Sequence, residues 1–167
     1  QAEAIQTLPY GSCFHAFIET DTNYWEEDGL PPGMWMDTTP GRLWPQTENG
    51  EPVGIYVFST GRLAQYLNRL STDTAHARII ADLVAARPAA KGKVRVRRSW
   101  SWSNDPYAGG TYAFWRPGMI AKYKEKMAQP AGLVHFAGEH TSESTRGLEG
   151  AMESGERAAF EVMDVLA

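Results

Sequence analysis

The last part of the chain combines residue types that can hold an electron-rich ligand without side-chain bulk. An apolar run over residues 133–137 ends at Gly138 and Glu139, and a short polar loop follows. A helix is then expected to begin near Gly147 and Leu148 with small residues in its first turns. The N-terminus of a helix presents backbone N–H groups and the positive end of the helix dipole, and both attract negative charge.

This arrangement suits a flavin, whose pyrimidine edge collects negative charge when the ring is reduced. The Leu148 end of the helix would offer N–H donors to that edge, and the small Ala151 would permit close approach. The Glu139 carboxylate can accept hydrogen bonds from ribityl or ribose hydroxyls. From the residues alone, an ordinary buried strand followed by a capped helix explains the same pattern.

A second segment, residues 102–112, has aromatic residues on both sides of a glycine-rich loop. Trp102 and Tyr112 flank that loop, and flat rings beside it suit a planar cofactor and an amine substrate through stacking and cation–π contacts. An aromatic corner on a hairpin is the alternative interpretation. The Trp- and Pro-rich residues 24–44 likewise either line a substrate entrance or pack a loop.

Other reactive side chains indicate no site. The four histidines lack metal-ligand spacing, so we expect no metal. The single cysteine, Cys13, lies in an apolar strand pattern, which predicts a buried and inert thiol. Ser142 and Ser144 lie near His140, but the strained turn that exposes a catalytic serine is not evident.

Composition excludes several classes of function. The 167 residues carry a formal net charge of −4, which argues against nucleic acid as a partner. With 43% hydrophobic residues the chain can form a sizeable core. No apolar stretch reaches bilayer length and no signal peptide is evident, so we expect a soluble protein, with the cytoplasm favoured. The chain opens at Gln1 without Met, which suggests excision from something longer.

Hydrophobic periodicity predicts the elements that position these residues. Strands are expected at residues 12–19, 34–37, 54–59, 94–102, 112–115 and 133–137, with loop or turn at residues 23–33 and 40–52. Four helices are expected. The first covers residues 63–70, the second begins after a cap at Thr72 or Asp73, the third covers residues 119–127, and the fourth runs from Leu148 to Leu166. In the last helix Glu149, Glu153, Arg157 and Glu161 line the side opposite an apolar stripe. We predict an α+β fold, with a mixed, mostly antiparallel sheet and helices on one face.

At this point two motifs resemble those of a known family. Residues 102–112 are similar to W-S-x-D-P-Y-A-x-G-x-Y, and residues 136–142 with 149–159 are similar to F-A-G-E-H-T-S followed by E-G-A-x-x-S-G-x-R-A-A. Together, in this order, they resemble the C-terminal part of FAD-dependent amine oxidases, which include monoamine, polyamine and L-amino-acid oxidases. The resemblance implies oxidation of an amine or amino acid to an imine with FAD and dioxygen, releasing hydrogen peroxide.

The resemblance also implies a role for individual residues. Gly138 and Glu139 would contact the cofactor at the pyrophosphate and ribityl groups. The backbone N–H of Leu148 would meet the flavin pyrimidine oxygen, with Ala151 packed close in the next turn. Trp102 would lie beside the isoalloxazine ring as a catalytic residue that also binds cofactor.

The substrate side of the implied site departs from the family pattern. Tyr112 resembles one catalytic, substrate-contacting wall of an aromatic cage. Many members have a second aromatic residue, Tyr or Trp, opposite the position of Tyr112, and here that position is Gly147. The cage is therefore expected to be half open, with Gly147 adjoining both the substrate and the cofactor. Thr111 stands where monoamine oxidases carry the cysteine that bonds the flavin, so FAD is expected to be non-covalent.

The resemblance divides the chain and implies partners. Residues 1–115 would belong to the substrate-binding domain, and residues 116–167 would be a strand and helix completing the FAD-binding domain. No G-x-G-x-x-G follows a strand, so the N-terminal FAD-binding portion, with the lysine near the flavin, is expected on another chain or a missing segment. The full enzyme would take a small amine or amino acid, and a homodimer is one assembly open to it. A desaturase-like or protoporphyrinogen-oxidase-like enzyme, or an inactive flavin-fold interaction module, are the alternatives.

Overall fold

The computed structural model describes residues 1–167 as two compact units, Ser12–Thr111 and Gln1–Gly11 with Tyr112–Ala167. The helices are α1 (Ala2–Thr7), α2 (Tyr24–Asp28), α3 (Gly61–Leu67), α4 (Thr72–Ala86), α5 (Met119–Met127) and α6 (Gly147–Leu166). The strands are β1 (Cys13–Thr20), β2 (Met34–Trp35), β3 (Arg42–Glu48), β4 (Glu51–Thr60) and β5 (Val94–Ser101). Short 3-10 turns occupy Pro88–Ala90 and Glu139–Thr141.

The unit Ser12–Thr111 is built on one five-stranded sheet. Its strand order is β2-β3-β4-β1-β5, and every neighbouring pair is antiparallel. The α+β class is therefore confirmed, as are the strands expected near residues 12–19, 54–59 and 94–102.

One face of this sheet forms the core of the unit. Alternate residues of β1, including Ala16 and Ile18, are buried and pack against α4 residues Ile79 and Leu83. Since successive side chains of a strand point to opposite faces, the other residues of β1, such as His15, lie on the outer face.

The N-terminal end of α4 corrects a detail of the sequence analysis. The cap is Ser71, whose hydroxyl accepts a hydrogen bond from the Thr74 backbone N–H at 3.3 Å, not Thr72 or Asp73. Serine is a preferred cap because its short side chain reaches the unpaired N–H groups of the first turn.

The expectation of turns over residues 40–52 was wrong, because β3 and β4 form a hairpin there. The two connecting residues, Asn49 and Gly50, have φ angles of +52° and +88°, as favoured hairpin turns require. Strand β2 has only two residues, and its pairing with β3 ends at Leu43. Pro45 therefore lies where β3 is an edge strand, and an edge tolerates the missing backbone N–H of proline.

Residues 23–33 were expected to form a loop, but the single-turn helix α2 lies within them. Its last residue, Asp28, receives two hydrogen bonds of 2.6 Å from Arg87, which is only 2% exposed. Arg87 also donates to the Pro31 carbonyl at 2.9 Å. These hydrogen bonds lower the pKa of Asp28 below its ordinary value and connect the irregular segment to the end of α4.

In the other unit, α1 packs against α5. Ala4 is buried with Tyr123 and Met127, and α5 has the predicted bounds. The Phe114 backbone N–H donates to the Pro9 carbonyl at 3.0 Å. Residues 1–11 therefore belong to the same compact unit as Tyr112–Ala167. The assignment of residues 1–115 to a substrate-binding domain and of residues 116–167 to an FAD-binding domain stays a prediction.

Two expected strands are absent from residues 1–167. Residues 133–137 form no strand, and Leu133 is 85% exposed. Within residues 112–115 a single bridge joins Ala113 to Tyr10. A strand requires a neighbouring strand to pair its backbone groups, and this chain supplies no ladder for either segment.

Helix α6 packs its polar side against its own unit. Ser154 is buried, and Arg157 donates to the Phe136 carbonyl at 2.8 Å and pairs with Glu161 at 2.5 Å. The apolar residues on its other sides are largely exposed, among them Leu148, Met152, Phe160, Met163 and Leu166. Arg157 and Glu161 belong to the charged side that the sequence predicts opposite the apolar stripe, and they form an ion pair four residues apart.

Candidate functional site

The N-terminus of α6 is uncapped and open. The helix begins at Gly147 after Arg146, and no side chain caps it. Gly147 has a φ of +70° and no atom lies within 4 Å of where a Cβ would be. Leu148 is 84% exposed and Ala151 is also exposed. A Tyr or Trp in place of Gly147 would require a left-handed backbone that non-glycine residues rarely adopt.

Glu153 holds the loop that precedes this helix. Its carboxylate accepts hydrogen bonds from the hydroxyls of Ser144 at 2.6 Å and Ser142 at 2.8 Å, and from the Glu143 backbone N–H at 3.2 Å. The hydroxyls of Ser144 and Ser142 lower the pKa of Glu153 from its ordinary value of 4.5 to about 2. The two serines therefore anchor the loop through an ionised carboxylate, and sequence reasoning missed Glu153 in this role.

Gly150 brings the same loop against the first turns of α6. A Cβ at Gly150 would lie 2.7 Å from the Thr145 backbone oxygen and 3.1 Å from the Ser142 Cβ. The residue at position 150 must therefore be glycine for the loop to pack against the helix. This packing gives a structural reason for a small residue on the side of the helix that faces the loop.

The turn at Gly138 and Glu139 is held by hydrogen bonds to Ser154 and Ala113. The Gly138 backbone N–H donates to the Ser154 hydroxyl at 2.9 Å, and Gly138 has a φ of +136°. Glu139 accepts a hydrogen bond from the Ala113 backbone N–H at 2.7 Å. One oxygen of the predicted cofactor-binding carboxylate thus has a structural partner that the sequence did not reveal.

Tyr112 is positioned by the segment at the start of the chain. The Gly11 backbone N–H donates to the Tyr112 carbonyl at 2.7 Å, and a Cβ on Gly11 would lie 2.8 Å from the Tyr112 ring. The ring remains partly exposed. Since Tyr112 precedes Ala113, its backbone is also connected to Glu139 through the hydrogen bond described above.

Trp102 lies in the other unit, just after β5. Its ring is 39% exposed and meets the His15 ring edge-on, with 6.5 Å between the ring centroids. The following loop is an Asx turn, because Asp105 accepts the backbone N–H groups of Tyr107 and Ala108 at 2.9 Å each. The Tyr107 side chain is 98% exposed.

Trp102 adjoins an aromatic surface on the outer face of the sheet, which we call the aromatic face. Directly paired positions across the five strands share this face, in the order Trp35, Arg42, Phe58, His15 and Trp100. The next row on the same face adds Trp44, Tyr56, Phe17 and Arg98. The Trp-rich stretch is evident in the sequence, but this surface is not, because it forms only through strand register.

His15 at the centre of the aromatic face is a buried ring. It stacks on Trp100 at 5.3 Å and meets Phe58 edge-on at 5.0 Å. Burial lowers the pKa of His15 below its ordinary value. Its ring nitrogens contact Cys13 Sγ and the Tyr56 hydroxyl, and burial raises the pKa of Cys13 to about 11. The expectation of a buried Cys13 is thereby confirmed, and the raised pKa disfavours the thiolate form.

The structure therefore gathers most predicted site residues in one unit. Tyr112, Gly138, Glu139, Gly147, Leu148 and Ala151 belong to the C-terminal unit, and Trp102 belongs to the sheet unit. An open, uncapped helix N-terminus beside a glycine turn is a donor set that fits the electron-rich edge of a flat ring ligand.

The structure contains neither a cluster of metal ligands nor a helix suited to span a membrane. No three His, Cys, Asp or Glu side chains within residues 1–167 lie close enough together to hold a metal ion. None of the helices has the length and apolar character required to cross a membrane.

Comparison with known proteins gives a consistent result along the chain. A family model described as flavin containing amine oxidoreductase matches residues 1–163. An L-amino-acid oxidase of Demansia vestigiata is 28% identical over 169 residues, which are 97% of this chain and 33% of that protein. A flavin-containing amine oxidase of Oncorhynchus mykiss is 29% identical over 176 residues, which are 96% and 32%. The chain thus spans about a third of the length of the curated relatives it matches.

Solved structures share the fold. A cyclohexylamine oxidase from Brevibacterium oxydans IH-35A aligns with a TM-score of 0.77 at 21% identity, covering 98% of this chain and 37% of that one. A putrescine oxidase bound to putrescine aligns with a TM-score of 0.70 at 22% identity, covering 95% and 36%.

Proposed function

The chain belongs to the flavin-containing amine oxidoreductase family, and from that premise we propose that it forms the C-terminal part of an FAD-dependent amine oxidase. The complete enzyme would oxidise an amine or amino acid to an imine and pass the electrons to dioxygen, releasing hydrogen peroxide. The observation that carries this proposal is the open, uncapped N-terminus of α6 at Gly147 and Leu148.

The residues that would hold FAD lie mainly around that helix end. The Leu148 backbone N–H would donate to the pyrimidine edge, and Ala151 would leave room for close packing. Gly138 and Glu139 would contact the ribityl and pyrophosphate groups. Trp102, partly exposed at the end of β5, would lie beside the ring system. Bound FAD would supply the two-electron acceptor that amine oxidation requires.

Binding of FAD would be non-covalent. Thr111 occupies the position where the resemblance places the flavin-bonding cysteine of monoamine oxidases, and a threonine hydroxyl is not the thiol that forms such a bond. Cys13, the only cysteine, is fully buried in the sheet unit and its raised pKa opposes the reactive thiolate form.

On the substrate side, Tyr112 and Trp102 would orient the amine and exclude water. A site lined by aromatic rings disfavours a charged ammonium through desolvation, and so favours the unprotonated amine that can be oxidised. With Gly147 opposite Tyr112 in the family pattern, the aromatic cage would be half open and would admit bulkier substrates. No residue of this chain is assigned as a general base.

The two units would serve different domains of the enzyme. The sheet unit Ser12–Thr111 would form part of the substrate-binding domain, and the C-terminal unit would complete the FAD-binding domain. The exposed apolar side of α6, including Leu148 and Met163, would pack against the N-terminal FAD-binding portion. That portion, or a lysine within it, would supply the remaining flavin contacts.

Names of relatives leave the substrate class open. They include L-amino-acid oxidases, a cyclohexylamine oxidase and a putrescine oxidase. These names describe an amine without a second charged group, a diamine with a second ammonium at its far end, and amino acids with a carboxylate on the carbon that bears the reacting amine.

The test is Trp102→Ala in the complete enzyme, with Tyr107→Ala as the matched control. Tyr107 lies in the same motif, but its side chain is almost fully exposed. We expect Trp102→Ala to slow flavin reduction by amine more than it weakens FAD retention, and Tyr107→Ala to change neither. Rapid-mixing absorbance and the FAD content after gel filtration measure the two quantities. Equal losses of both in Trp102→Ala would show that the indole is only structural.

A further inference from the structure

We propose that Arg42 makes the aromatic face selective for amines that carry an anionic group at the end remote from the reacting nitrogen. This inference rests on the proposed function and names the substrate class of the same enzyme. It arises from a cation in an unusual setting, held among aromatic rings on the outer face of the sheet.

Three rings hold the Arg42 guanidinium in place. Its Cζ atom lies 4.2 Å from the Trp35 ring centroid, 5.3 Å from that of Phe58 and 5.8 Å from that of Trp44. Stacking over aromatic rings holds the planar guanidinium in position, while its N–H donors stay available at the edge. The group is therefore positioned before any ligand arrives.

Arg42 is half-buried and forms no ion pair with a carboxylate within residues 1–167, unlike the chain's other buried or half-buried arginines, Arg87 and Arg157. Arg87 pairs with Asp28, and Arg157 pairs with Glu161. On the aromatic face itself, Glu19 follows Phe17 by two residues along β1 and is already paired with Arg95 at 2.9 Å. The positive charge of Arg42 is thus left for a ligand.

The aromatic face connects Arg42 with Trp102. Arg42, Phe58, His15 and Trp100 occupy directly paired positions on neighbouring strands, and the His15 ring also meets Trp102. Three strand spacings separate the backbones of Arg42 and Trp100, which is about 14 Å. An amine reacting beside Trp102 would therefore reach Arg42 only with its far end.

Charge at that far end then decides binding. A carboxylate would gain charge-assisted hydrogen bonds from the guanidinium. A second ammonium would meet repulsion from Arg42 and from Arg98 in the next row, and an alkyl end would gain neither. The aromatic rings between the two ends accept the apolar chain of the substrate.

The experiment compares three eight-carbon probes with the complete enzyme: aminooctanoate, octylamine and diaminooctane. They share chain length and reacting amine, and differ only in the far end. We expect wild-type kcat/KM to fall in the order carboxylate, alkyl, ammonium. In Arg42→Gln the preference for aminooctanoate over octylamine should fall about 10- to 100-fold, as loss of a hydrogen bond to a charged group implies.

Two further variants sharpen the result. Arg42→Lys should retain part of the preference, because it keeps the charge but loses the planar fork. Arg62→Gln removes the same charge from exposed α3, whose residues pack on the core face of the sheet, and should leave the preference unchanged.

A second readout separates this inference from the proposed function. Binding of each probe is measured by tryptophan fluorescence of the complete enzyme, since Trp35 and Trp44 adjoin Arg42. If no amine yields peroxide, the proposed function fails, and the ratio of dissociation constants alone decides the role of Arg42. Absence of a preference for aminooctanoate in the wild type, or an unchanged preference in Arg42→Gln, would overturn the inference.

Discussion

In the unit Ser12–Thr111 the sheet buries apolar residues such as Ile18 against Leu83 of α4, whereas α6 in the other unit buries Ser154 and exposes Leu148 and Met163. Both elements are amphipathic, but they face their own unit with opposite sides. The core face of the sheet is covered by helices of its own unit. The apolar side of α6 remains available to another surface, which agrees with its proposed place in the FAD-binding domain.

A polar face can hold a helix when its hydrogen bonds are complete. Ser154 accepts from the Gly138 N–H and donates to the Ala151 carbonyl, both at 2.9 Å. Arg157 and Glu153 engage the loops on either side. The inward side of α6 thus fixes the turn and the loop next to the candidate site, and its stability depends on hydrogen bonds rather than on apolar area.

The largest expected effect is a difference in stability between variants of the sheet core and variants of the exposed apolar side of α6. Leu83→Ala removes a fully buried side chain from the sheet core and should lower the free energy of unfolding by about 2–5 kcal/mol. Leu148→Ala, on the exposed side of α6, should change it by no more than about 0.5 kcal/mol. Denaturant unfolding of the 167-residue chain, followed by circular dichroism, measures both. Similar losses would contradict the comparison.

Ser154→Ala tests the polar interface of α6. Removing the hydroxyl leaves the Gly138 N–H without its acceptor, so we expect a loss of about 1–3 kcal/mol in the free energy of unfolding. The exposed neighbour Glu156, changed to Ala, serves as the control and should have little effect. If both variants unfold at the same denaturant concentration as the wild type, the polar interface contributes nothing.

The same substitution at two glycines of α6 should have opposite signs. Gly155→Ala meets no atom within 4 Å and should stabilise the helix by about 0.5–1 kcal/mol, since alanine is the better helix former. Gly150→Ala would collide with the Thr145 oxygen and should destabilise it by about 1–3 kcal/mol. Thermal unfolding of the pair checks the sign, and two changes in the same direction would refute the loop packing described above.

The smallest effect is a local pH dependence at the loop before α6. Because folding lowers the pKa of Glu153 from 4.5 to about 2, its contribution is complete above pH 4.5 and is lost as the pH falls towards 2. Hydrogen exchange at the Glu143 N–H, which Glu153 accepts, should accelerate over that range relative to its intrinsic rate. Glu153→Gln should abolish this dependence, and its persistence in the variant would assign it to another group.

The sequence predicted elements whose signal is local. Periodicity located β1, β5, α4 and α5, and small residues located the start of α6. The β3–β4 hairpin was missed although Asn49-Gly50 is a strong local turn signal, because the whole of residues 40–52 was predicted to be loop or turn. Residues 133–137 have the composition of a buried strand, but composition does not supply the neighbouring strand that pairing requires.

The candidate site was predictable to a similar extent. The turn at Gly138 and the helix end at Leu148 lie within one segment, so their order along the chain revealed them. The partners of Glu139 and Tyr112 are Ala113 and Gly11, and the latter lies about a hundred residues away from Tyr112 in sequence. The aromatic face joins five strands by register, which no single stretch of sequence shows.

The most direct test of the central claim is an anaerobic titration of the complete enzyme with primary amines, followed through the visible absorbance of its flavin. We expect the enzyme to be purified with FAD, which is released on denaturation because it is not covalently bound, and we expect an amine to bleach the flavin band. Admission of air should restore the band and form hydrogen peroxide. A complete enzyme purified without flavin, or a bound flavin that no amine bleaches, would contradict the account.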